Sequence, residues 1–190
     1  MRIYWPARLV LGALVAAGFS VATPAKAQTP FTLTSATFKD GEWLPKKAAG
    51  NIASNPNCIG ENVSPDLRWA NTPGAAKSLV VVMSDWEGQS GLGSHHVLAY
   101  NIAPTVTGFA EGELSKLSEK FTGGKETAGT LLYRGPCPPA GTAVHHYIFT
   151  VIATDLEPGA LPGGLTRDEL FERLKGHAKG VAGIVGLFGR

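Results

Sequence analysis

Ser78-Leu79-Val80-Val81-Val82-Met83 sets five consecutive apolar residues, three of them valine, between turn-forming stretches on either side. The run is too short for a buried helix and shows no polar face at helical spacing, so it reads as a strand covered on both faces. His96 to Ile102 (HVLAYNI) and His146 to Ala153 (HYIFTVIA) have the same character. Three buried strands are expected to form the centre of one sheet. Around them, 24 glycines and 13 prolines punctuate short apolar runs rather than gather in a linker, the pattern of a loop-rich β protein. Phe31 to Phe38 begins with apolar and polar residues alternating and predicts a half-buried strand. Residues 39–76 read as a long loop region, and the polar, glycine-rich 108–129 as a surface excursion. Thr166 and Glu169 form a capping box ahead of Leu170, Phe171 and Leu174, with Gly176 as the stop of the one helix expected. Gly180 to Phe188 predicts a short closing strand whose glycines permit close packing.

The N-terminus reads as a cleavable export signal over residues 1–27. Arg2 and Arg8 give the positive region, Leu9 to Ala22 the apolar run, and Ala25-Lys26-Ala27 the small-x-small cleavage site. The apolar run is 14 residues long, short of the roughly 20 a spanning helix needs. The mature chain, residues 28–190, is expected to be periplasmic or secreted, without a transmembrane segment. Cleavage removes three basic residues and no acid, so the formal charge of +2 becomes −1, with 14 bases against 15 acids. A near-neutral chain with scattered Lys and Arg has no footprint for nucleic acid. The 163 remaining residues are enough for a single core, and one domain is expected. Cys58 and Cys137 are the only cysteines. An oxidising compartment favours their pairing as a disulfide, although spacing alone does not establish proximity. There is no CxxC and no zinc knuckle, and nothing in the sequence calls for a cofactor.

Two of the predicted strands open with a histidine doublet, His95-His96 and His145-His146. Successive strand side chains point to opposite faces, so each doublet gives one imidazole to a shared pocket, which disfavours a four-histidine metal site. Asp85 follows the Ser78–Met83 run and can hold a histidine in one tautomer if the strands are neighbours. Gly135-Pro136-Cys137-Pro138-Pro139 is a stiff loop in which only Gly135 and Cys137 keep an N–H to present to an anion. Taken singly, these residues are as readily structural: imidazoles satisfied within the core, a carboxylate capping a turn, a phenol packed in the interior. Trp43 and Trp69 read as packing aromatics, and Glu61 and Asn62 as loop organisers.

Gly60-Glu61-Asn62-Val63-Ser64-Pro65, Leu67 to Trp69, Asp85, Ser94-His95-His96-Val97 with Asn101, and Gly135 to Pro139 with His145 and Tyr147 together resemble the phosphatidylethanolamine-binding protein family, in its bacterial Raf-kinase-inhibitor-like branch. The resemblance runs from Phe31 to Arg190 and rests on the order of several separated motifs. It implies a mainly β (α+β) fold with a large antiparallel sheet, a smaller sheet and a C-terminal helical segment. It also implies one cavity for a phosphate-type anion or phospholipid head group, lined by Asp85, His96, Gly135, Pro136, Cys137, Pro138, Pro139, His145 and Tyr147. His95 and His146 would face elsewhere. The family's Asp-Pro-Asp-x-Pro stretch is here Asp85-Trp86-Glu87-Gly88, which keeps the first carboxylate, loses both prolines and offers Trp86 as a possible cover for the mouth.

Three functions fit these residues. The first is a ligand-binding module for a phosphate-type group; the third is an inhibitor or interaction module that contacts a protein partner through its loops. Between them stands a hydrolase using Asp85, His96 and His145 as acid and base. No serine sits in a GxSxG elbow, and Ser94 is the only serine near the doublets, so a non-enzymatic role is expected.

Overall fold

The computed structural model describes Met1 and residues 29–190, and the export-signal reading falls on residues outside them. The elements in chain order are β1 (Thr32–Thr34), β2 (Glu42–Trp43), β3 (Leu67–Ala70), β4 (Ser78–Asp85), the single turn α1 (Gly88–Gly91), β5 (Ser94–Ile102), β6 (Gly108–Phe109), β7 (Thr122–Gly123), β8 (His145–Thr154), α2 (Arg167–Leu174) and β9 (Ala178–Phe188). Six strands form a sheet in the order β2-β9-β8-β4-β5-β7, antiparallel except where β2 runs parallel to β9. β1, β3 and β6 form a small antiparallel sheet. The fold is therefore mainly β with two sheets and a C-terminal helix, as expected.

The three apolar runs become β4, β5 and β8, adjacent at the centre of the large sheet. β4 explains their composition. Leu79, Val81 and Met83 pack with Phe149 and Val151 of β8 against Leu67, Trp69 and Phe109 of the small sheet. Val80 and Val82, on the other face, pack with Leu98 and Tyr100 against Leu165, Leu170 and Leu174 in and before α2. A strand covered on both faces needs apolar residues at every position. The helix starts where its signature placed it: the Thr166 hydroxyl accepts from Glu169 N, and the Glu169 carboxylate accepts from Thr166 N.

Four expectations need correction. The strand expected over Phe31–Phe38 pairs only at Thr32–Thr34. The loop region 39–76 contains β2, a 3-10 turn at Lys46–Ala48 and β3, whose alternating buried Leu67 and Trp69 hold the small sheet together. The excursion 108–129 is not superficial, because Phe109 and Leu114 are core residues and Thr122–Gly123 adds an edge strand to β5. The closing strand is longer than expected and pairs along the whole of β8, from His145↔Phe188 to Thr154↔Ala178. On the other side of β9, Gly186 lets the end of β2 lie close, since a Cβ there would lie 2.6 Å from Leu44.

Candidate functional site

Asp85 ends β4 opposite Ser94 of β5 and Tyr147 of β8, so the strand-end neighbourhood inferred from sequence exists. His145 and Tyr147, two apart on β8, share the face that looks toward the small sheet. Simple alternation would put His95, not His96, on the same face as Val97. The ladder between β4 and β5 pairs Met83 with Val97 but Ser84 with His95, leaving His96 as the extra residue of a bulge. That bulge re-aims His96 into the site. His95 bonds to the Ser84 hydroxyl (3.1 Å), and His146 pairs with Glu87 (2.8 Å) outside the site. Each doublet thus supplies one imidazole.

All four side chains at the floor are buried: 3 % of Asp85, 8 % of His96, 7 % of His145 and 1 % of Tyr147 is exposed. One oxygen of Asp85 accepts from the amides of Glu87 and Gly88, both at 3.0 Å. The other lies 2.8 Å from His145 Nδ1 and 3.7 Å from His96 Nε2. Burial alone would raise this carboxyl, but the two imidazoles outweigh burial and hold it at about 2, so it stays ionised. The Tyr147 ring stacks on His145 and meets His96 edge-on. Burial, followed by the Asp85 charge, pushes its phenol upward, so the hydroxyl keeps its proton.

The turn that replaces the two lost prolines is held by side chains instead. Besides the two amides on Asp85, Glu87 accepts from the His146 amide and pairs with its ring. Gly88 is required where it stands, because a Cβ there would lie 2.5 Å from the Ser94 hydroxyl. Trp86 does not cover the mouth. It lies half-exposed edge-on to His95, with the Arg167 guanidinium 6.0 Å from its ring, and lines a separate hollow with Leu92 and Thr127.

The opposite wall is the Gly135–Pro139 loop. His96 Nδ1 donates to the Arg134 carbonyl (2.7 Å), and the Arg134 amide donates to the His96 carbonyl (2.8 Å), which staples the loop to β5. Cys137 is bonded to Cys58, which ties this wall to the segment before Gly60. The Gly135 amide is not free for an anion as expected: it donates to Asn62 Oδ1 at 2.7 Å. Asn62 uses every polar group it has, its amide on the Ala49 carbonyl, its Nδ2 on the Tyr133 carbonyl and its carbonyl under the Ser115 hydroxyl. It does so with φ at 59°, a conformation Asn tolerates better than most residues.

These walls enclose a cavity of about 150 Å³, roughly the volume of five liquid waters. Asp85, His96, Gly135, Cys137, Pro138, Pro139, His145 and Tyr147 line it. Pro136 does not; it is buried behind the wall, where its carbonyl accepts from Gly50 N. Asn55, Gly88, Gln89, Ser94 and Arg134 also line the cavity and were not expected to. Arg134 could have been found from its adjacency to Gly135, and Ser94 from its place before the His95-His96 doublet, but Asn55, Gly88 and Gln89 lie in turns with no pattern of their own.

A model of the phosphatidylethanolamine-binding protein family matches residues 34–189. The chain belongs to this family. A UPF0098 protein of Methanothermobacter thermautotrophicus is 40% identical over 147 residues, covering 74% of this chain and 92% of that one. A Mycobacterium tuberculosis protein named as a lipoprotein, LppC, is 35% identical over 170 residues, covering 87% and 76%. The crystal structure of Escherichia coli YbcL, described as a member of the mammalian family, superposes with a TM-score of 0.77 at 28% identity, covering 85% of this chain and 99% of that one. The family match spans both walls of the cavity and all four floor residues.

Proposed function

We propose that this phosphatidylethanolamine-binding family member is an exported ligand-binding protein whose cavity takes a phosphate-type anion, free or as a head group. The observation that carries the reading is His96 Nε2, which is buried, faces the cavity and has no partner among the described residues. A buried polar atom without a hydrogen bond costs about 1–3 kcal/mol, and a ligand oxygen in the cavity would remove that cost. Near that atom the Tyr147 hydroxyl is a donor, and the Cys137 amide makes no hydrogen bond among the described residues. An ammonium is poorly served, because Asp85 already accepts two amides and one imidazole. Export is supported by the signal-like N-terminus, the disulfide and the lipoprotein name of one relative. No helix among the described residues is long and apolar enough to cross a membrane.

A hydrolase remains the second reading, favoured by the Asp85–His145 pair, which leaves His145 Nε2 facing the cavity as a base. No hydroxyl or thiol is hydrogen-bonded to that imidazole among the described residues, which favours binding over turnover. The test is a titration of inorganic phosphate watched at the His96 and His145 ring signals. Both are expected to shift with one saturating constant. Unmoved signals at millimolar phosphate would remove the pocket reading, and phosphoester turnover lost in His145→Ala would establish the enzyme instead.

A further inference from the structure

Building on the anion-pocket reading, we infer that the site holds its anion together with one proton on the line to His96 Nε2, and so selects phosphate monoesters and inorganic phosphate over phosphodiesters and sulfate. The hydrogen bonds at the far side of each ring carry the argument. A carbonyl oxygen only accepts, so His96 Nδ1, 2.7 Å from the Arg134 carbonyl, carries a hydrogen. An ionised carboxylate only accepts, so His145 Nδ1, 2.8 Å from Asp85, carries one as well. Each neutral ring therefore turns a bare Nε2 lone pair toward the cavity. A floor made of two lone pairs and a carboxylate repels an unprotonated anion oxygen.

One proton between the ligand oxygen and His96 Nε2 resolves the conflict, whether it is drawn as an imidazolium donating to O⁻ or as P–O–H donating to nitrogen. It satisfies the buried, unpartnered nitrogen and offsets the negative charge of Asp85, 3.7 Å away. The groups facing His96 leave it this role. Asp85 from β4 is an acceptor with its oxygens already engaged. From β8, His145 presents a lone pair and Tyr147 a hydroxyl donor. From the 133–139 loop, Arg134 points its guanidinium toward Glu126 at 3.9 Å. His95, on its own strand, faces the other side of the sheet toward Ser84.

A phosphate monoester loses its second proton near pH 6, so it brings the proton or collects it close to neutrality. A phosphodiester or a sulfate has none to bring. The diester of a membrane phospholipid is thus the poorer ligand, and a soluble monoester or free phosphate the better one.

Phosphorylethanolamine and glycerophosphoethanolamine share a head group and differ in this proton, and inorganic phosphate and sulfate form a second such pair. Calorimetric titration of the oxidised protein in two buffers of different ionisation enthalpy measures affinity near pH 6, where the monoester still carries the proton, and proton uptake near pH 8, where it does not. Near pH 6 the monoester is expected to bind about tenfold more tightly than the diester, as an unmade buried hydrogen bond implies. Near pH 8 it is expected to take up close to one proton, with affinity falling about tenfold per pH unit above neutrality. His96→Gln, whose amide donates without a proton from solvent, should abolish the uptake and narrow both preferences. Equal binding within each pair without proton uptake would overturn the inference and leave the anion pocket standing. Failure of all four probes to bind at millimolar concentration would overturn both.

Discussion

Asn62→Ala is the most severe test of how the cavity wall is held. The substitution removes two hydrogen bonds, from Nδ2 to the Tyr133 carbonyl and from the Gly135 amide to Oδ1. Both backbone partners are then left without a bond, at about 1–3 kcal/mol each. Alanine must also hold φ near 59°, which costs about 1 kcal/mol more than asparagine. The sum, about 3–7 kcal/mol, is a large part of the 5–15 kcal/mol typical of a domain. Urea unfolding at pH 7 should give that loss, and thermal unfolding a fall of roughly 10 °C or more. Asn62→Gly keeps the backbone conformation and loses only the side chain, so it should recover about 1 kcal/mol. A loss below about 1 kcal/mol for Asn62→Ala would refute the reasoning, since water would then replace both bonds freely.

The remaining predictions concern the bond, the charge and the helix. Cys58→Ser opens a loop closed across 79 positions and is expected to cost about 4.5 kcal/mol on the chain-entropy account. It should also weaken phosphate binding, and unchanged affinity would show that the disulfide does not hold the wall. Asp85, held at about 2 in the fold against 3.8 ordinarily, contributes about 2 kcal/mol above pH 3.8 that is lost as pH falls toward 2. The stability advantage of the wild type over Asp85→Asn should therefore shrink across that window in urea titrations, and an advantage independent of pH would contradict the assignment. Thr166→Ala removes the cap of α2 and should cost about 1 kcal/mol, read as a fall in the denaturation midpoint with the slope unchanged.

The legible parts of this chain were those whose signal is local. The Ser78–Met83 run announces a twice-covered strand because each residue reports its own burial, and Thr166 with Glu169 carries a helix start within four positions. β3 was hidden because Leu67 and Trp69 stand between Pro65-Asp66 and Asn71-Thr72-Pro73-Gly74, where turn chemistry outweighs two alternating apolar residues. In 108–129, Phe109 and Leu114 anchor a polar stretch singly, too sparsely for any period. At the site, residue types were readable and their partners were not. Gly135 looked like a free donor because the acceptor that occupies it, Asn62, lies 73 positions earlier. Trp86 was expected at the mouth because sequence adjacency to Asp85 does not say on which face of the sheet a turn lays its side chain.

The bulge at His96 makes length itself informative at one point of the chain. Deleting a single residue between Ser94 and Val97 would remove one of the two register shifts between β4 and β5 and leave the remaining histidine opposite Ser84, on the face away from the cavity. The repaired sheet would be more regular and the cavity would have lost an imidazole. Insertions in the exposed turn from Gln89 to Leu92 move nothing in register and should be borne lightly. Among relatives of differing length, the register of β5, rather than the mere presence of a His-His pair, therefore separates chains that keep the site from chains that only keep its letters.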